Sequence, residues 1–242
     1  MKVTKVLSLT KAKNDDVVLR LAADETLLDA LPGQYVNLAA CEQAQQITSA
    51  FLFVANVSLA YVEVYLPSED AVKSQIDTNV TEVLVSEPQG TAFVLPTFFS
   101  HIGNEHHVIK PVLLADDIGL PAIIFLAEKI KIICGLQPLV FLFSQTQFPF
   151  TPVPSQFIVS NIPVGVLAAC PMLEDKKIPS RLLSETVVPG CYEGAMDAFL
   201  AGLPNTFFRD INIEVYAAGG KSLLDAADVF AQRHHLAIQK LQ

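Results

Sequence analysis

Apolar and polar residues alternate with period two along the first hundred positions, and further on the pattern changes to solid apolar runs followed by a 3.6-residue period. Positions 2–10 and 16–22 alternate as half-buried strands do, about the polar turn Lys11-Ala12-Lys13-Asn14-Asp15. Pro32-Gly33 turns the chain into another strand over 34–38. Segments 50–57 and 61–66 predict a hairpin, 80–85 a further strand, and 91–95 one that closes the set after the turn at Pro88-Gln89-Gly90. Six or so short strands separated by turns predict an N-terminal antiparallel six-stranded β-barrel over 1–100, with a short helix over 69–77 across its end.

From 111 the period changes. The apolar run 112–115 breaks at a polar turn holding Asp116, Asp117 and Gly119, and apolar residues return at Ile123, Ile124, Leu126, Ala127 and Ile130. That order is strand, tight turn, helix. Further buried strands are expected at 139–143 and 164–169, a helix at 192–203, a strand at 211–217, a helix at 222–233 and a last strand at 236–241. Between the second and third strands, Phe148-Pro149-Phe150-Thr151-Pro152-Val153-Pro154 is too proline-rich for a crossover helix. Strands alternating with helices give a mostly parallel α/β domain of nucleotide-binding type over 108–242. In such sheets a phosphate-bearing ligand sits where a strand ends and its helix begins, because free N–H groups and the helix dipole point there. The plain alternative is a strand-turn-helix unit that only packs.

Composition narrows the class. With 51% hydrophobic against 17% charged residues the chain reads as a packed globular protein rather than a disordered one. No apolar stretch reaches the roughly 18 residues of a spanning helix, and the basic start Met1-Lys2-Val3-Thr4-Lys5 lacks a following apolar core, so a cytoplasmic protein is expected. A net charge of −9 without clustered Lys or Arg argues against nucleic acid. Cys41, Cys134, Cys170 and Cys191 lie far apart and are expected as reduced, mostly buried thiols, with no zinc or iron-sulfur cluster. The pairs His106-His107 and His234-His235 are expected to be solvated, since neighbouring residues point to different faces. Glu174-Asp175-Lys176-Lys177 reads as a solvated loop, and Phe148, Phe150 and Phe157 as core or interdomain packing residues, with the border of a groove as the alternative.

Pro32-Gly33-Gln34-Tyr35-Val36 and Glu87-Pro88-Gln89-Gly90-Thr91-Ala92-Phe93 are similar, respectively, to the turn that opens the flavin-side strand and to the later Gly-Pro-x-Gly-x-Phe turn of the ferredoxin-NADP reductase superfamily. At the other end, Val215-Tyr216-Ala217-Ala218-Gly219-Gly220-Lys221-Ser222-Leu223 resembles the family's Val-Tyr-x-Cys-Gly-Pro-x-x-Met, and Gly190-Cys191-Tyr192-Glu193-Gly194-Ala195-Met196-Asp197 its Gly-x-x-Gly-x-Val-x-Asp. Within that superfamily the chain most resembles the electron-transfer subunit of dihydroorotate dehydrogenase, without that subunit's iron-sulfur segment. Asp116 through Ile123, however, resembles the Asp-Glu-Thr-Ala-Leu-Pro-Ala-Ile turn of siderophore-interacting reductases.

The resemblance implies a flavin-dependent oxidoreductase that takes electrons from NADH through FAD or FMN, bound between the domains, and passes them to a partner. Tyr35, Ile47, Thr48 and Ser49 would contact the flavin, while Gly119, Gly219 and Gly220 would let nucleotide approach the backbone. The sequence departs from the family where Arg-x-Tyr-Ser is expected: Gln45-Gln46-Ile47-Thr48 keeps only the hydroxyl. The phosphate loop reads Ser68-Glu69-Asp70-Ala71-Val72, with two carboxylates and no glycine. Asp116 and Asp117 stand where dihydroorotate-type members carry Gly-Gly; carboxylates there suit a helix dipole and repel a pyrophosphate. Ser144-Gln145-Thr146 offers no cation to a 2′-phosphate, which favours NADH over NADPH. The competing expectation is a non-catalytic descendant that kept the fold and uses the interdomain cleft or its surface to bind a redox or scaffold protein or another small ligand, and neither reading excludes a homodimer.

Overall fold

In a computed structural model of the protein the described residues are 1–13, 16–41, 48–66, 80–96, 99–102, 105–208 and 212–241. They divide into compact units Met1–Ala92 and Phe93–Gln242. The helix expected over 69–77 lies outside the described residues.

The first unit contains β1 (Lys2–Lys11), β2 (Val17–Ala22), the single-turn helix α1 (Glu25–Leu28), β3 (Tyr35–Ala40), β4 (Thr48–Asn56), β5 (Tyr61–Leu66) and β6 (Glu82–Val85). Its strands close a barrel in the order β1-β2-β5-β4-β3-β6, every pairing antiparallel. The alternation seen in the sequence explains it: Leu19, Leu21, Val36, Leu38, Leu52, Val62, Val64, Val83 and Val85 all point inward and are buried. Burying each such side chain contributes about 1.5–3 kcal/mol, so the barrel has its own core. Residues 91–95 do not form the closing strand. Pro88 and Pro96 cannot donate to a ladder, and β1 closes the barrel instead through Lys2↔Val85 to Lys5↔Glu82.

The second unit runs through β7 (Phe99–Ile102), β8 (Glu105–Ala115), α2 (Leu120–Lys129), β9 (Leu139–Ser144), β10 (Val153–Pro154), β11 (Ala168–Ala169), α3 (Pro171–Asp175), β12 (Ser180–Ser184), β13 (Tyr192–Glu193), α4 (Met196–Gly202), β14 (Asn212–Ala218), α5 (Lys221–His234) and β15 (Ala237–Leu241). The main sheet has the order β13-β12-β9-β8-β14-β15, all parallel, with β7 antiparallel to β8. Helix α2 packs against β8, β9 and β14, while α5 packs against β8, β14 and β15. Covered on both faces, β8 and β9 read as solid apolar runs. Phe141 meets Phe199 of α4 with ring centroids 4.9 Å apart inside a core that also holds Val112, Leu114, Val215 and Phe230.

Four expectations change here. The third strand is not 164–169: Pro163 and Gly165, at φ +90°, bend that stretch, and only Ala168–Ala169 pairs, with Val153–Pro154. The buried strand is β12, whose serines and arginine disguise it in the sequence. The helix expected from 192 begins at Met196, because Tyr192–Glu193 extends the sheet and Gly194 takes φ +141°. Glu174 is not solvated. It lies at 3% exposure in α3, accepting from the Ser155 hydroxyl at 2.7 Å and the Gln156 N–H at 3.0 Å. A buried carboxylate that loses a hydrogen bond keeps its desolvation cost, so Ser155→Ala is expected to lower unfolding free energy by about 2 kcal/mol in a urea titration. The thiols are also not mostly buried as expected: Cys170 is buried, its thiol pushed up to about 12 by desolvation, whereas Cys134 and Cys191 are partly exposed at strand and helix ends and Cys41 is exposed.

Candidate functional site

The parallel strands of the second unit end together at Ala115, Ser144, Ser184 and Ala218. Chain order reverses at β8, with β9 on one side and β14 on the other, so the loops after β8 and β14 face each other at the switch point. Gly119 and Gly220 are the N-caps of α2 and α5, which brings two positive helix ends to one place. The sequence singled out Gly119, Gly219 and Gly220, and the fold gathers all three.

Close approach accounts for two of these glycines. A Cβ on Gly119 would lie 1.8 Å from the Ala218 carbonyl oxygen, so the first turn packs directly on the end of β14. Gly219 has φ +148°, and a Cβ there would lie 2.3 Å from Asp116 Oδ1.

The centre of the turn is filled by Asp116. Its Oδ1 accepts from the N–H groups of Ile118 at 3.0 Å and Gly119 at 3.2 Å, and its Oδ2 from Gly220 at 2.7 Å. One carboxylate thus ties two loops about a hundred residues apart. Asp117 accepts from the Gln145 N–H at 3.2 Å, tying down the loop after β9 as well. A dinucleotide's pyrophosphate would need the same N–H groups. With a carboxylate already competing for them, a pyrophosphate at this turn would be held weakly.

On the barrel, Tyr35, Asn37 and Ser49 share the outer face of the β3–β4 pair, in the register Tyr35↔Phe51 and Asn37↔Ser49. The Ser49 hydroxyl donates to Asn37 Oδ1 at 2.9 Å, and the Asn37 amide to Gln89 at 3.4 Å. The backbones of Tyr35 and Gln89 form a two-way bridge at 3.0 and 2.8 Å, and the Tyr35 ring lies beside Gly90. Periodicity missed this link, since Gln89 lies in the turn before 91–95 and pairs there as an isolated bridge. A half-buried aromatic ring flanked by hydrogen-bonding side chains is a surface on which a flat ring system could lie. Thr48 pairs with Leu38 in the ladder, and Ile47 lies outside the described residues, as do Gln45 and Gln46. Tyr35, Asn37, Ser49 and Gln89 include no cation for a phosphate.

No family model matches the chain, and no curated protein matches it. Solved structures do. An NADH-dependent reduced ferredoxin-NADP oxidoreductase, studied for flavin-based electron bifurcation, superposes with a TM-score of 0.71 at 12% identity, over 99% of this chain and 76% of that one. The ferredoxin reductase of a carbazole 1,9a-dioxygenase gives 0.69 at 13% identity, over 98% and 68%. Ferredoxin-NADP+ reductase from Plasmodium falciparum gives 0.59 at 10% identity, over 98% and 95%. The chain has the fold of the ferredoxin-NADP reductases, a barrel followed by a parallel α/β unit, with sequence divergence so deep that the likeness is one of fold. Among the described residues no helix is long and apolar enough to cross a membrane.

Proposed function

We propose that the protein is a flavin-dependent electron-transfer oxidoreductase that delivers electrons to a protein acceptor in a cytoplasmic setting. The observation that supports this reading is the retention of the reductase fold over 99% of the chain at a TM-score of 0.71. FAD or FMN would lie against the barrel face that carries Tyr35, beside Ser49 of the adjoining strand, and the resemblance adds Ile47 and Thr48 to its contacts. The flavin supplies the redox chemistry, and the protein positions and tunes it. Tyr35 offers the ring a flank, and the Ser49–Asn37–Gln89 chain of hydrogen bonds holds that face in register. NADH is the favoured donor over NADPH because residues 144–146 carry no cation, and Asp116 makes its hold weak. The likeness of the 190–197 and 215–223 stretches to the dihydroorotate dehydrogenase electron-transfer subunit supports that branch within the proposal.

Asp116 also favours a second reading. A chain that fills its own anion site is what a non-catalytic reductase-like protein, kept for binding a protein partner, would carry. NADH-dependent reduction of cytochrome c, measured with the purified protein and added FAD or FMN, separates the two. Turnover above the free-flavin background, rising further in Asp116→Gly, is expected of the oxidoreductase; background rates in both proteins would contradict it.

A further inference from the structure

The opposite edge of the same sheet holds a cavity of about 800 Å³, within the range of small-molecule sites. It opens where the parallel ladder begins, beside Ile109 in the middle of β8 and Leu139 at the start of β9, and Ile109, Leu139, Phe157 and Phe207 form apolar walls. It exists because the crossover from β9 to β12 contains no long helix. Prolines at 149, 152 and 154 forbid one, and the chain runs past this edge as a strap over 155–161.

The strap is fastened at both ends. At the first, Glu174 takes the Ser155 hydroxyl and the Gln156 N–H, while Arg181, at 2% exposure, donates to the Phe157 carbonyl at 2.6 Å. At the second, Asn161 donates to the Thr206 carbonyl at 3.2 Å and accepts from its hydroxyl at 3.0 Å. Ile158 spans the gap between them at 96% exposure. Such a wall is preformed, so a ligand need not order it on binding.

Charge tells what the cavity would take. Three lysines line it, Lys110, Lys131 and Lys177, on a chain whose net charge is −9. Lys131 is pinned at the rim, donating to the carbonyls of Lys176 at 2.8 Å and Lys177 at 2.7 Å. Lys110 is half-buried, its ammonium 5.2 Å from the centroid of the Phe207 ring, and desolvation lowers its pKa. Among the described residues it makes no ion pair. A desolvated ammonium facing an apolar cavity is a group that a carboxylate would stabilise.

We propose that this cavity binds a small organic anion, a monocarboxylate with an apolar body, its carboxylate on Lys110 and its hydrocarbon against Phe157 and Phe207. The site is separate from the carboxyl-edge turn, and the inference holds whether or not a flavin binds.

Backbone-amide NMR titrations of the full chain with decanoate, 1-naphthoate and the neutral decanol test it. At least one carboxylate should bind at least tenfold more tightly than decanol, moving the signals of Ile109, Leu139 and Phe207; whichever binds better assigns an alkyl or an aryl body. Lys110→Met should cost that carboxylate roughly tenfold and leave decanol unchanged, while Lys5→Met on the barrel should change neither. No binding by either carboxylate, decanol binding as tightly, or shifts centred away from the cavity would each overturn the proposal. Should Lys110→Met fail to fold, the comparison of carboxylate with alcohol on the unaltered protein decides alone.

Discussion

Asp116→Gly is expected to bind NADH roughly a hundredfold more tightly than the unaltered protein. The carboxylate now accepts from Ile118, Gly119 and Gly220, and its negative charge sits where two helix N-termini converge. Removing it frees donors for a phosphate oxygen and removes a like-charge repulsion. Two regained hydrogen bonds to a charged acceptor are together worth about 3 kcal/mol. Asp116→Asn separates the contributions, because the amide removes the charge and keeps an oxygen that can still occupy an N–H. It should fall between the two in a fluorescence titration with NADH. If all three proteins bind equally, the carboxylate is not what limits the turn.

Gly119→Ala is expected to destabilise the second unit by about 3 kcal/mol or more. The added methyl would meet the Ala218 carbonyl oxygen at 1.8 Å, and both partners are constrained: Gly119 caps α2, and Ala218 is held between Ala115 and Leu241 in the sheet. The β8 turn would have to lift off β14, breaking the Asp116–Gly220 tie that spans it. Gly202→Ala serves as the comparison, because a Cβ there meets nothing within 4 Å. Denaturant unfolding should show a large loss for the first and little change for the second. Similar midpoints would mean that the turn does not press on β14.

Where burial alone decides structure, the sequence was informative. The two-residue alternation of the barrel and the solid apolar runs at 112–115 of β8 and in β9 each mark a strand with a fixed burial pattern, and the glycines at 119, 219 and 220 marked the switch point. What the pattern hid were elements whose polar residues have buried partners. β12 is fully buried, yet reads Ser-Arg-Leu-Leu-Ser, because Arg181 bonds the carbonyls of Ser180 and Phe157. Glu174 reads as solvated for the same reason, its partners Ser155 and Gln156 lying in a proline-bent strap that has no period. The role of Asp116 was half visible. A carboxylate at a helix start is ordinary, and only the distance to Gly220 shows that it closes the site from the far loop as well.

The barrel side carries the central claim, because an electron-transfer role requires a flavin whatever its donor. An absorbance spectrum of the purified protein, taken after incubation with excess FAD or FMN and removal of the unbound portion, addresses it directly. Flavin bands retained in proportion to protein, and diminished in Tyr35→Ala, are the predicted result. A spectrum without flavin bands after either cofactor would contradict the oxidoreductase and leave the partner-binding reading in its place.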